Sequence, residues 1–503
     1  MRAYDYTAAM RLPVLRRARV AASLLLAALS VAACQKGSEG ETNVVVIGEP
    51  PKIVDPAAGA LTESEAVLLS NVAQGLVRFD ASGQIVPGLA ERWNVTDDGL
   101  SYIFRLEAAN WPNGRKITAE QVARILRRQI AGRSGNRLRD TLGAIDTIVP
   151  MTDRVIEISL EAPRPHLLQL LAQPEFAIIR DNVGTGPFQV AKDSKPDQLD
   201  LVRKVTNLDE EVVEQDKVSL SGRSASAAVA SFLKADTDLV LGGTFADLPY
   251  ARVKQVRKAS LRFDPASGLF GLVPARADGP AADSEVRHLL SQAIDRQAMI
   301  DALNVPGLLP RVTLLEPGLD GVPDPIAPQW TSVPIDQRRA ALAASASRMF
   351  GKLDKPVIRI AMPDAPGSRI VLSRLAADWG AIGLTVEAVK SGQAADFRLI
   401  DLVAPSTSPA WYLRNFRCGE VAICDPKADE LLDGARSATV TAQSDALLAQ
   451  AAQEMDSQQL FISLTAPIRW SLVSDRVQGF ATNRFARHTL TSLGEKLDRD
   501  RGE

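Results

Sequence analysis

Three His and three Cys in 503 residues leave this chain short of the side chains that build most recognisable sites. So few His give little room for a histidine-rich metal centre. Three Cys cannot supply a disulfide scaffold, so packed cores must carry the stability. An excess of one charge is missing as well: 58 Lys and Arg stand against 60 Asp and Glu, a formal net charge of -2. A general nucleic-acid binder needs a basic surface to neutralise phosphates, and this balance argues against one. There is no nucleophile elbow of the G-x-S-x-G kind, no P-loop and no H-E-x-x-H. Gly222, Gly242 and Gly243 form no dinucleotide fingerprint, and His166, His288 and His488 lie far apart, as ordinary packing residues would. The weight moves from catalysis toward binding.

What the chain does have is apolar material: 46% of residues are hydrophobic and 23% charged, a globular composition. At roughly 100–200 residues per domain the length predicts two to four domains. Arg11, Arg16, Arg17 and Arg19 precede an apolar run from Val20 to Ala33. That run is too short to cross a bilayer, which takes ~20 apolar residues, and it reads as a secretory signal over residues 1–33. Val31-Ala32-Ala33-Cys34 resembles a bacterial lipobox, so Cys34 is expected to carry lipid, with residues 34–42 as a polar tether. Loss of the leader removes five Arg and one Asp and takes the formal charge from -2 to -6. Cys418 and Cys424 would then sit in an oxidising compartment. A short-loop disulfide is the leading reading over a zinc pair, because no nearby His or further Cys completes a tetrahedral set.

Along the rest of the chain, strand and helix patterns alternate. Val44 to Ile47 is an apolar run that suits a buried strand, and Ala66, Leu69, Val72, Ala73 and Leu76 give a helical face over 63–76. Thr118 and Gln121 have capping-box spacing. Arg124, Arg127, Arg128 and Arg133 behind them are either an anion site or, more simply, a solvated helix face. Residues 357–361, 369–379 and 384–389 have the look of a βαβ unit, and Gly351 is placed to cap the helix over 335–350.

Several segments, in order, resemble the bacterial extracellular solute-binding proteins of family 5, the oligopeptide- and dipeptide-type receptors of ABC importers. Ile53-Val54-Asp55-Pro56 resembles the early Asp-Pro turn, and Asn71 to Val77 is similar to N-x-x-E-G-L-V, with Gln74 where Glu is usual. Ile85 to Trp93 and Asp97 to Phe104 are similar to the segments that follow, as is the block from Trp111 to Val122. Gly184-Thr185-Gly186-Pro187-Phe188 resembles G-T-G-P-Y, Val286 to Arg296 resembles V-R-x-A-L-x-x-A-I-D-R, and Ser474 to Phe480 resembles a tail that re-enters the first lobe.

The resemblance implies an α/β, two-lobed periplasmic-binding-protein fold with an accessory domain, mixed sheets flanked by helices, and a ligand cleft between the lobes. Lobe I would combine 43–78, 180–255 and 468–503; the accessory domain would be 79–179 and lobe II 256–467. It also implies strand-like capture of an extended peptide, with a carboxylate of a W-x-x-D-Y-x-D-P-like segment fixing the peptide's amine. The matching stretch here runs from Asp401 to Leu413 and lacks that Asp, Asp401 lying about four residues too early. Asp401, Ser406, Thr407 and Trp411 are the candidate ligand residues, although Trp411 would serve equally as core and Ser406 and Thr407 as turn residues. The expected function is a lipid-anchored, exported, monomeric substrate-binding protein that delivers peptides or peptide-like solutes to a permease. It would have no catalytic residue, metal or cofactor and no nucleic-acid partner. The same fold used as a sensory or scaffold lipoprotein, or as receptor for a nickel chelate, haem, opine or sugar, is the alternative; an exported hydrolase is a more distant one.

Overall fold

The computed structural model describes residues 41–207, 212–351 and 356–493. The leader 1–33, Cys34 with most of its tether, and residues 494–503 lie outside them.

A seven-stranded sheet is laid out in the order Gln189–Val190, Gln198–Asn207, Val212–Arg223, Glu41–Ile47, Leu239–Thr244, Arg469–Val473 and Leu261–Phe263. Its middle strand Glu41–Ile47 runs parallel to Leu239–Thr244, with Val45 opposite Val240. Val44, Val45 and Val46 are all buried, so both faces of this strand are covered and the sequence runs apolar instead of alternating. A five-stranded sheet holds Thr385–Lys390, Val357–Met362, Phe397–Val403, Gly268–Pro274 and Ile462–Thr465. The chain passes between the two sheets twice, at 264–267 and at 466–468. A third, four-stranded antiparallel sheet (Ala90–Val95, Ser101–Leu106, Val155–Leu160, Ile145–Thr152) packs with the helix Ala119–Ile130 around a core that includes Phe104, Val122 and Ile156.

The βαβ unit forms as expected, Val357–Met362 pairing in parallel with Thr385–Lys390 across the helix Pro366–Gly380. Two local expectations are corrected and a third is met. The helix expected over 63–76 is Glu63–Val72. It stops because Gly184-Thr185-Gly186 docks on its last turn: Gly186 N donates to Val72 O at 3.0 Å and Phe188 N to Asn71 O at 3.1 Å. A Cβ at Gly184 would fall 2.4 Å from Val72 O, and one at Gly186 2.4 Å from Asn71 O, an approach open only to glycine. Gln74 Nε2 donates to Thr185 O at 2.9 Å, a bond a Glu carboxylate has no proton to make. Gly351 caps its helix as expected, in the right-handed region at φ -63°. The box at Thr118 is half a box: Thr118 accepts from Gln121 N, but the Gln121 side chain accepts from Trp111 Nε1 at 2.8 Å.

The arginines behind that cap disperse instead of converging. Arg124 pairs with Glu120 and Arg128 with Asp55, while Arg127 donates to Ile148 O. Arg287 and Arg296, by contrast, are buried. Arg287 donates to the carbonyls of Gln458, Gln459, Ala281 and Ala282, and Arg296 to those of Ser463 and Ser291. Charge-assisted bonds of this kind fasten one helix to the turn at Gln458-Gln459 and the next to the strand Ile462–Thr465.

Candidate functional site

Where the two sheets meet, the strand ends leave a cleft of about 380 Å³. Asp264, at one crossing, donates its N–H to Arg469 O, at the other, at 3.0 Å. The floor is the end of Leu239–Thr244 against Arg469–Val473. A Cβ on Gly243 would lie 2.2 Å from the Trp470 ring, so glycine is what lets the buried indole lie there and donate Nε1–H to Thr244 O at 2.9 Å. One wall is the segment 401–405 and Trp411; the other is Glu63, Glu175 and the stretch Phe485 to His488.

Arg487 is the electrostatic centre. Its Nε donates to Gln173 Oε1 at 3.1 Å, and its Nη atoms lie 3.4 Å from Glu63 Oε2 and 3.4 Å from Glu175 Oε1. Burial works against its charge, yet Glu175 and Glu63 hold the guanidinium above its ordinary value. Beside it, Asp264 accepts from Asn483 N at 3.0 Å and faces His488 Nε2 at 3.1 Å. Two buried polar atoms in this cleft, Glu175 Oε2 and Ser471 Oγ, have no hydrogen-bond partner among the described residues. At its edge, Arg137 and Glu420 are exposed and form no ion pair among the described residues.

The 401–424 stretch is held from several sides. Arg469 Nη1 bonds both carboxylate oxygens of Asp401, at 2.8 and 2.9 Å. Burial pushes the Asp401 carboxyl up and Arg469 opposes it. The short helix Pro409–Arg414 is pinned by Tyr412, whose hydroxyl donates to buried Glu316 at 2.6 Å; Glu316 in turn pairs with Arg311. A disulfide joins Cys418 to Cys424 and closes the small loop that carries Glu420.

The four candidate residues therefore separate. Asp401 and Trp411 line the cleft. Ser406 lines a different cavity, which Trp411 also borders. Thr407 is buried, donates its backbone N–H to Gln169 Oε1 at 2.8 Å and bonds through Oγ1 to Asp320 and His166. Ordinary packing does not describe two of the histidines: His488 faces Asp264 in the cleft and His166 sits beside Asp320 at 3.5 Å. Sequence reasoning missed Glu63, Arg137, Glu175, Arg469 and Arg487, which come from well-separated stretches with no local spacing to connect them.

Comparison with known proteins places the chain. The model of the bacterial extracellular solute-binding proteins, family 5 (middle region), matches residues 84–411. The dipeptide-binding protein DppE of Bacillus subtilis is 26% identical over 217 residues, 36% of this chain and 39% of that protein, so this match spans less than half of the relative. A probable di/tripeptide-binding protein 5 of Pseudomonas aeruginosa is 22% identical over 493 residues, covering 86% of this chain and 91% of its own. The structure of Haemophilus influenzae OppA in complex with the peptide RPPGFSPFR matches with a TM-score of 0.76 at 16% identity, over 90% of this chain and 98% of that one. At that identity the likeness establishes the two-lobed fold. With the family model matched across most of its length, this chain belongs to the bacterial extracellular solute-binding proteins of family 5.

Proposed function

We propose that the protein captures a short peptide or peptide-like solute in the cleft between its lobes and presents it, unaltered, to the permease of an ABC importer. The observation that carries this reading is the pair of orphaned polar atoms, Glu175 Oε2 and Ser471 Oγ, in the cleft. Buried polar groups are nearly always satisfied, so orphaned ones point to a polar ligand as partner. The edge groups match a zwitterion: Glu420 suits an ammonium and Arg137 a carboxylate. Asp401 is already neutralised by Arg469, which leaves the amine to Glu420 and to the unpartnered Oε2 of Glu175. The volume, near the low end of the ~300–1,000 Å³ typical of small-molecule pockets, favours a short ligand. Relatives named as dipeptide- and di/tripeptide-binding proteins agree with that class. In this reading lipid on Cys34 holds a monomer at the outer side of a membrane, and the lobes divide as 43–78 with 180–255 and 468–503, against 256–467, with 79–179 accessory.

Native mass spectrometry of the gently purified protein is the test. Co-purifying peptides a few residues long, lost in Glu175→Gln, establish the reading. A single non-peptide mass removes the peptide assignment. A bare protein whose melting temperature no peptide or metabolite raises removes capture altogether, because a ligand stabilises by RT ln(1 + [L]/Kd).

A further inference from the structure

Beyond Trp411 lies a second cavity of about 370 Å³, walled by residues 141–170 on one side and by 406–448 with the turn Asp320-Gly321 on the other. Its body is apolar, with Leu167, Leu170, Leu432 and Leu448 among the lining side chains. Its charged lining is lopsided: Arg164, Arg414, Arg417 and Arg436 against Asp320 and Asp445. Arg417 is engaged by Asp433 at 2.8 Å. The other three reach only backbone carbonyls: Arg164 donates to Arg436 O, Arg414 to Asp140 O and Arg436 to Gly143 O. None of these three forms an ion pair with a carboxylate among the described residues.

Three guanidinium groups so placed repel one another. Burial, then the neighbouring Arg436, holds both Arg164 and Arg414 below their ordinary values, with Glu161 opposing at the first and Asp140 at the second. Like charges gathered around an apolar chamber destabilise the empty arrangement and are relieved by an anion. Their carbonyl bonds leave N–H donors over, since each guanidinium has five.

We propose that this cavity is a second binding site, separate from the peptide cleft, for a small amphiphilic anion: a carboxylate or similar head on an apolar body. The head lies among Arg164, Arg414 and Arg436, and the body against the leucines. Because the two walls come from segments far apart in the chain, such a ligand also ties them together. This proposal does not depend on what occupies the cleft.

Decanoate is the probe, titrated by calorimetry into the purified full-length protein, with decyltrimethylammonium as the cation of equal body. Decanoate is expected to bind once per chain and the cation not to bind. Arg414→Gln and Arg436→Gln should each weaken decanoate about ten-fold. Asp445→Asn, which removes a carboxylate from the same lining, should tighten it several-fold. That gain is a change no unfolding can imitate. A short peptide already bound in the cleft should leave decanoate binding in place. Equal binding of anion and cation, unchanged affinity in both Arg variants, no gain in Asp445→Asn, or displacement by the peptide would each overturn the proposal.

Discussion

Asp401 and Arg469 join the two sheets across the crossing: the carboxylate on Phe397–Val403 receives both its bonds, at 2.8 and 2.9 Å, from one nitrogen at the start of Arg469–Val473. Both side chains are mostly buried, 14% and 17% exposed. Breaking such a pair strands a charge. Asp401→Asn should therefore lower stability by about 3 kcal/mol, read from denaturant melts. Adding Arg469→Gln should cost much less than a second such loss, and strict additivity in that double-mutant cycle would mean the two residues are not coupled.

The Cys418–Cys424 bond closes a loop with a sequence separation of 6. Loop-closure entropy gives a bond of that span about 2 kcal/mol. The double variant Cys418→Ser/Cys424→Ser should lose that much in stability. It should also weaken cleft ligands, since Glu420 rides on the loop. Unchanged affinity with lowered stability would separate Glu420 from recognition.

Arg287 is buried and satisfies four backbone carbonyls. Arg287→Met keeps most of the volume and removes every donor. A loss of at least about 3 kcal/mol is expected, because each stranded buried acceptor is costly. Ligand affinity of the folded fraction should stay near wild type. A change in affinity without one in stability would make this a site residue.

Burial pushes the Asp456 carboxyl up to about 7, although Leu314 N donates to it at 2.9 Å. The unfolded carboxyl titrates near ~3.9, so folding takes up a proton between those values. The stability this contributes is fully present below the lower value and is lost as pH rises through about 7. Asp456→Asn should match wild type below about pH 4 and exceed it at pH 8. Parallel melting curves at both pH values would contradict the assignment.

Much of the fold could be read from local pattern because local physics decides it. The apolar run Val44 to Ile47 is a central strand, Thr118 caps its helix by accepting from Gln121 N, and the βαβ unit pairs in parallel. The helix end at Val72 could not be read, since its cause sits more than a hundred residues away in Gly184 and Gly186. The motifs that carried the resemblance proved to be joints: the glycines dock one helix, and Arg287 and Arg296 fasten two others. Site residues differ. Arg487 is nothing in sequence until Glu63, Gln173 and Glu175 surround it. Trp411, which lines the cleft, could be singled out only because the surrounding stretch resembled a known one.

Asn71, in the last turn of the first helix, accepts from Leu490 N at 2.9 Å, and Phe485, Arg487 and His488 arrive on that returning segment to finish a wall begun by Glu63. The cleft is thus assembled from stretches 424 residues apart in the chain. During synthesis, which runs from the N-terminus, a nascent chain holds the glutamates long before the guanidinium that balances them. The balanced charge pair at the heart of the cleft therefore cannot exist until Arg487, 424 residues after Glu63, has been made.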